Sequence, residues 1–355
     1  MSTFELAHIT KRFPTVTALD DVSFSFQRGE FFVLLGPTGA GKTTTLRIIA
    51  GLAKQDEGTI TLDGQRVETH TPAERDVAFV FQQYSLYPTM TVFDNLAFPL
   101  RSPMRKTPEA VIKTKVTEAA EKLRITHLIN RKTAQLSGGE MQRVAIGRAI
   151  VRNPRLFLMD EPLSNLDAKL RESLRVELKH LQKTQGSTTL FVTHDQVEAL
   201  TMADRIAVLN DGKVMQQGTP DDIYDAPATT FVAQLVGSPK INLLGAARSN
   251  GSVKVGGSGV TLPAPRMELP ESFLLGIRPE DIRPSPNGAF TAAVMLTEPL
   301  GVETILHLKA GDTDIVGLVP GMATQKAGET VKFDIVKEKL HFFGRDNARI
   351  SAERR

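Results

Sequence analysis

The sequence predicts an α/β domain over residues 1–235 followed by an all-β domain over residues 236–355. Three observations predict this. From Phe4 to about Leu235, short apolar runs alternate with amphipathic segments, the pattern of strands covered by helices. A glycine-rich stretch from Gly36 to Thr43 separates an apolar run from a helical one. After Val236 the texture changes to short β-rich runs punctuated by Gly and Pro, with alternation clearest at Val331, Phe333 and Ile335.

At 355 residues the chain is long enough for two domains, with 41% hydrophobic and 23% charged residues, ordinary for a globular protein. A net charge of +3 is too mild for the concentrated basic footprint of a nucleic-acid binder, so no nucleic-acid partner is expected. There is no cysteine, which excludes disulfides, thiolate nucleophiles and sulfur-ligated zinc. Residues Met1 to Thr10 carry Glu5 and lack the apolar run of a signal peptide, and no stretch approaches the roughly 18 apolar residues of a membrane-spanning helix. Any membrane role is expected to come through a partner.

Within the first domain, Thr59 to Val67 and Arg205 to Gln217 each carry an Asp-Gly pair, Asp63-Gly64 and Asp211-Gly212, between β-branched or apolar residues, which predicts two tight hairpins. Ile112, Val116, Ala119, Ala120 and Leu123 fall on one helical face; Leu170, Leu174, Leu178 and Leu181 form a second stripe ending near Gly186.

The run Gly36-Pro37-Thr38-Gly39-Ala40-Gly41-Lys42-Thr43, followed by Thr44, lies between the apolar strand Glu30 to Leu35 and a helix, the setting a phosphate-binding loop requires. Glycines let backbone N–H groups turn inward around phosphate oxygens. Lys42 adds a positive charge, Thr43 can place its hydroxyl on Mg²⁺, and the helix start supplies its positive dipole end. These residues are the candidate nucleotide-binding set.

Leu156 to Glu161 reads as a strand ending in two adjacent acids, stopped by Pro162. At the carboxyl end of a parallel strand, Asp160 would hold Mg²⁺ through water, and Glu161, one residue on, is the candidate general base for water. His194 terminates another β-rich run, Thr188 to Thr193, and should reach the same sheet edge. Gln82, after the strand Val77 to Phe81, and His194 gain weight from the ensemble rather than from their own residue types.

Leu136-Ser-Gly-Gly-Glu140 reads as a helix start: Ser137 and Glu140 make a capping box, and Met141, Val144, Ala145 and Ala149 continue an apolar face until Asn153-Pro154. Two glycines in a first helical turn cost about 1 kcal/mol each relative to alanine, and bare backbone there suits a phosphate that approaches closely. Followed by Met-Gln-Arg-Val-Ala-Ile-Gly-Arg-Ala, this segment resembles the signature motif of the ABC ATPase family. The resemblance covers residues 1 to about 235, with a helical subdomain at about 84–153. It implies that Phe13 stacks on adenine, Gln82 is the Q-loop glutamine, Asp160 and Glu161 are the Walker B pair, Ser164 to Asp167 is the D-loop, and His194 is the switch histidine. ATP would be bound with Mg²⁺ held by Thr43, Gln82 and Asp160. Catalysis would fall to Glu161, His194 and Gln82. Ser137, Gly138, Gly139, Glu140 and Asp167 would act on the ATP of a second ATPase subunit, in a homodimer or a paralogous heterodimer. Thr38 and Ala40 stand where the family usually has serine and cysteine, Thr43 where it has serine, and Glu140 where it has glutamine; none removes a required group.

Further on, Gly237 to Asn242 and Leu275 to Glu280 resemble the entry and first segment of the OB-like TOBE domain of carbohydrate importers of the maltose-transporter kind. The resemblance implies an importer ATPase on the cytoplasmic face of a bacterial inner membrane, beneath two transmembrane permease subunits and, through them, an external substrate-binding protein. A permease helix would dock between Gln82 and about Leu100, on Tyr84, Leu86, Tyr87 and Pro88. The cargo implied is a sugar, polyol or glycerol derivative. The alternatives are an importer of polyamine, iron or sulfate, or a soluble ABC ATPase acting on nucleic acid or ribosomes. One cassette, with room only for a compact helical insert between Thr43 and Ser137, counts against the last.

Overall fold

The computed structural model describes residues 4–103, 105–249 and 251–351; the outer ends of both expected domains, residues 1–3 and 352–355, lie outside them. Contacts divide the chain into two compact units, Met1–Pro220 and Asp221–Arg355.

The first unit begins with β1 (Phe4–Phe13), β2 (Val16–Phe26) and β3 (Phe31–Leu35), followed by α1 (Lys42–Ile49). Strands β4 (Glu57–Leu62), β5 (Gln65–Arg66) and β6 (Val77–Val80) come next, then helices α2 (Val92–Ala97), α3 (Glu109–Lys122) and α4 (Gly138–Ile150). The unit continues with β7 (Leu156–Asp160), α5 (Ala168–Gln185), β8 (Thr189–Thr193), α6 (Gln196–Met202), β9 (Arg205–Asn210) and β10 (Lys213–Gly218). Six strands form one sheet in the order β10-β9-β3-β8-β7-β6, parallel except for β10. Every residue of β3, β7 and β8 is buried, which is why these strands read as unbroken apolar runs rather than alternating ones. A separate antiparallel sheet, ordered β2-β1-β4-β5, was not distinguished by the sequence pattern. It shares a core with the parallel sheet: Phe24 of β2 stacks on Phe32 of β3 with ring centroids 5.3 Å apart.

Local signals translate directly. Asp63 and Gly64 (φ 49° and 78°), and Asp211 and Gly212 (φ 45° and 74°), both turn left-handed and close the β4–β5 and β9–β10 hairpins. Ile112, Val116, Ala119 and Ala120 are the buried side of α3. Helix α5 buries Leu174 and Leu178 and ends at Gly186 in a left-handed cap, while Leu170 and Leu181 at the margins of its stripe are only half-buried.

The second unit opens with short helices at Pro220–Asp225 and Thr230–Leu235. The sequence pattern had attached this stretch to the first domain. It packs instead within the second unit, because Ala233 buries against Ile241 and Phe343, and the buried guanidinium of Arg278 donates to the carbonyls of Ala233, Val236 and Tyr224. That guanidinium also lies 3.9 Å from the centre of the Tyr224 ring. Two five-stranded antiparallel sheets follow. One has the order Thr261–Pro263, Ser252–Val255, Asn242–Ser249, Ser272–Ile277, His341–Phe343; the other runs Ile282–Pro284, Thr330–Ile335, Phe290–Pro299, Glu303–Ala310, Thr313–Pro320. A single core containing Leu275, Ile282, Leu306 and Phe333 lies between them. The unit is all-β apart from its leading helices and short 3₁₀ turns, and the alternation at Val331, Phe333 and Ile335 is the inward face of its strand.

Candidate functional site

The loop between β3 and α1 is set by close backbone approach. A Cβ on Gly36 would lie 2.2 Å from the carbonyl oxygen of Leu209, and one on Gly41, at φ 104°, would lie 2.6 Å from that of Ala18. Gly41 caps α1 without any side-chain hydrogen bond, so the first N–H groups of that helix keep their donors for a ligand. Lys42 is 5% exposed; its ammonium donates to the carbonyls of Gly36 (2.9 Å) and Pro37 (3.0 Å) and lies 3.3 Å from Glu161 Oε1.

Strand β7 delivers Asp160 to the same end of the sheet. The Thr43 hydroxyl donates to Asp160 Oδ1 at 3.0 Å, bringing together two groups separated by most of the cassette's sequence. Burial pushes the Asp160 carboxyl above the ordinary aspartate range; the Thr43 hydrogen bond acts the other way and the neighbouring Glu161 charge adds to the rise. Glu161 adopts φ 44°, an unfavourable left-handed backbone for a non-glycine residue, immediately before Pro162. Its amide nevertheless donates to the carbonyl of Val192 in β8, at 3.0 Å, and its carboxylate lies between Lys42 and His194, accepting from His194 Nδ1 at 2.9 Å.

Gln82 follows β6, and its amide nitrogen donates to Ser164 Oγ at 3.2 Å, which in turn donates to the Glu161 carbonyl at 2.9 Å. Asn165 closes the link by donating to the Gln82 carbonyl at 3.0 Å. The segments that follow β6 and β7 are thus joined within one chain. A cleft of about 610 Å³ unites Thr38, Gly39, Gly41 to Thr44, Gln82, Glu161 and His194. Its wall also includes Val16, Thr17, Ala18, Asp211 and Gly212, which sequence reasoning missed. The Asp211-Gly212 turn was recognised as a hairpin, but nothing local indicated that its tip, donated to by Asp20 N–H, would stand beside the loop. Phe13 does not line the cleft; it is 46% exposed at the end of β1, paired across the hairpin with Val16, which does.

Ser137 caps α4 with the full reciprocal box: its hydroxyl accepts from Glu140 N–H, and its own N–H and hydroxyl donate to the Glu140 carboxylate. Gly138 lies near the Tyr84 hydroxyl, and Gly139 is packed so closely on Leu170 that a Cβ would come within 2.2 Å of its Cδ2. Asp167 caps α5, accepting from Leu170 N–H at 3.0 Å. None of Ser137, Gly138, Gly139, Glu140 and Asp167 lines the cleft of its own chain.

A glycine-rich loop at a helix start, a buried lysine inside it, and a carboxylate pair and histidine converging from adjacent parallel strands define a P-loop nucleoside-triphosphatase cassette. Residues 19–164 match the family described as ABC transporter, and residues 275–343 match the TOBE domain. The chain belongs to the ABC transporter family, as an ATPase coupled to import. It is 46% identical to the trehalose/maltose import ATP-binding protein of Thermococcus litoralis, over 97% of this chain and 98% of that one. It is 45% identical to the sn-glycerol-3-phosphate import ATP-binding protein of Brucella abortus (99% and 100%), and 42% identical to the oligosaccharides import ATP-binding protein of Bacillus subtilis (97% and 98%). Among solved structures, a dimeric ABC cassette in a post-hydrolysis state with ADP and Pi matches with TM-score 0.56 at 33% identity, over 61% of this chain and 98% of that one.

Proposed function

We propose that ATP enters the cleft with its phosphates on the loop from Gly36 to Thr44 and its terminal phosphate at Lys42, and that Glu161 takes the proton of the attacking water. The observation that carries this is the placement of one carboxylate between the loop lysine and His194. In the imidazolium form, both ring nitrogens of His194 are donors: Nδ1–H holds the Glu161 carboxylate and Nε2–H is offered to the terminal phosphate. Lys42 and the α1 amides stabilise the charge that spreads over the phosphoryl oxygens in a loose transition state.

Thr43, Asp160 and Gln82 offer a hydroxyl, a carboxylate and an amide oxygen, an all-oxygen set that fits Mg²⁺. Asp160 is 8% exposed, with Thr43 as its side-chain hydrogen-bond partner, and burying such a carboxylate is costly unless a cation joins it. When bound, the ion would supply positive charge that stabilises the triphosphate.

Ser137 to Glu140 and Asp167, which do not line their own cleft, are assigned to the ATP of a second ATPase subunit, identical or paralogous. One of the two permeases is assigned to each ATPase subunit, at the apolar hollow of about 450 Å³ formed by Leu52, Phe81, Tyr87, Phe98 and Arg148, where Tyr87 and Phe98 pack at 4.5 Å and both remain exposed. Of the four residues expected to receive the permease helix, Tyr87 lies in this hollow. No helix among the described residues is long and apolar enough to cross a membrane. The import ATP-binding relatives support peripheral attachment, assigned here to the cytoplasmic face of the bacterial inner membrane. The names of the relatives favour a sugar, oligosaccharide or glycerol phosphate as cargo; an external binding protein is assigned to deliver it.

The decisive experiment is Glu161→Gln in the assembled transporter. Turnover should fall by about a hundredfold or more while ATP binding persists. Unchanged hydrolysis would remove Glu161 from the role of base.

A further inference from the structure

Behind the catalytic pair lies a second acid that the reaction scheme above does not use. Glu198, on the first turn of α6, is 3% exposed. The hydroxyl of Thr193 donates to its Oε2 at 2.5 Å, and the same hydroxyl accepts from the Asp195 N–H at 3.0 Å. Asp195 in turn caps α6, its Oδ1 accepting from Val197 and Glu198 N–H, and its other oxygen lies 3.5 Å from Arg171. The two residues flanking His194 are therefore fixed by one network, and Glu198 is its buried anchor.

The same network borders a cavity of about 20 Å³ whose walls bring together Glu161, Ser164, Arg171, His194 and Glu198. That volume accommodates one water molecule, and the lining is polar, as a resident water requires. Arg171 Nε is buried with no hydrogen-bond partner and is suited to donate to such a water.

We propose that Glu198 is a positioning residue for ATP hydrolysis, holding His194 against Glu161 through the Thr193 hydroxyl and the polar cavity behind them. This rests on the assignment of His194 to the terminal phosphate. A carboxylate buried here is held by few partners, since burial raises its proton affinity and the Thr193 hydrogen bond opposes the rise. Its retention at this cost fits a role in fixing geometry: an imidazole displaced by about 1 Å loses much of its effect on rate.

The test is a cycle in the assembled transporter with Glu198→Ala, Glu198→Gln, Thr193→Val, His194→Ala and the Glu198→Ala/His194→Ala pair. Glu198→Ala and Thr193→Val should each lower kcat about tenfold with KM for ATP within twofold, and Glu198→Gln, whose amide oxygen can still accept from Thr193, should recover most of the rate. In the His194→Ala background, Glu198→Ala should cost nothing further. A full rate in Glu198→Ala and Thr193→Val, or a loss of the same size with and without His194, would overturn the proposal. A normal rate in His194→Ala alone would instead overturn the underlying assignment. If Glu198→Ala does not fold, Thr193→Val and its pair with His194→Ala decide the matter by the same criteria.

Discussion

The Lys42 ammonium and the Glu161 carboxylate face one another across 3.3 Å inside the phosphate loop. The loop's cation is thus engaged by the residue assigned as base. A triphosphate would draw Lys42 to its terminal oxygens, and the released carboxylate would turn to water. On this assignment, substrate arrival and arming of the base would be one exchange of partners.

Replacing Lys42 by Ala should therefore weaken ATP binding by at least about tenfold, since it removes a charge-assisted contact from a buried position. Glu161→Gln should bind ATP at least as tightly as the unaltered chain, because its lysine is no longer engaged by a carboxylate. Calorimetric titration with Mg²⁺ and ATP separates the two; equal weakening in both would contradict the exchange.

Ser137 and its helix cap stand apart from their own cleft, so their contribution should emerge only between chains. On a Glu161→Gln background, ATP should shift the sedimentation of the chain from monomer to dimer. Adding Ser137→Arg, which places a long cation where phosphate is to approach the α4 start, should abolish that shift without altering the protein's melting temperature by more than a few degrees. Dimerisation that survives the arginine would refute the assignment in trans.

Asp160 binds its proton more tightly in the fold than in the unfolded chain, chiefly through burial. Such a group supplies its stability at pH values below the unfolded aspartate value, about 3.9, and loses it as pH rises through the raised folded value. Once ionised, the buried carboxylate is therefore a burden on the fold. Asp160→Asn should raise the melting temperature at pH 7.5, with a gain that shrinks toward pH 4, and should erase the extra stabilisation that Mg²⁺ gives in the presence of ATP. Thermal scans across that range measure both.

His341 in the second unit has the opposite sign. It is 5% exposed, its Nδ1 lacks a partner, and burial, reinforced by Arg349 and Arg278, pushes it down to about 4. Unfolded chains take up this proton below about 6.5 and the native chain does not, so stability is present above that value and is lost as pH falls. Between pH 7 and pH 5 the loss should be about 2 kcal/mol in chemical denaturation of the second unit. In His341→Phe it should largely vanish; an unchanged acid sensitivity would show that the histidine is not its source.

Much of the cassette was readable because its chemistry is written in short contiguous segments. Gly36 to Thr43 carries loop, lysine and hydroxyl together; Asp160 and Glu161 are adjacent; Ser137 and Glu140 satisfy each other within one turn. What stayed hidden was assembled by distance in sequence. Ala18 and Leu209 shape the phosphate loop through backbone carbonyls, which any residue type could supply, and the tip at Asp211 and Gly212 joins the cleft only after β9 has paired with β3. The antiparallel sheet escaped notice for a related reason: the register shifts that break up the β1–β2 pairing blur the period-two alternation by which strands are recognised. Asp221 to Leu235 was misattributed because amphipathic helices look alike whichever core they cover.

The grip of Arg278 on three carbonyls upstream of it decides where this polypeptide can be cut. A catalytic half released after Leu235 would retain two orphaned helices and strip the Arg278 guanidinium of two of its three carbonyl acceptors, those of Tyr224 and Ala233. Severing after Pro220 leaves both fragments with their own interiors, and the same seam is where a foreign regulatory module could be grafted.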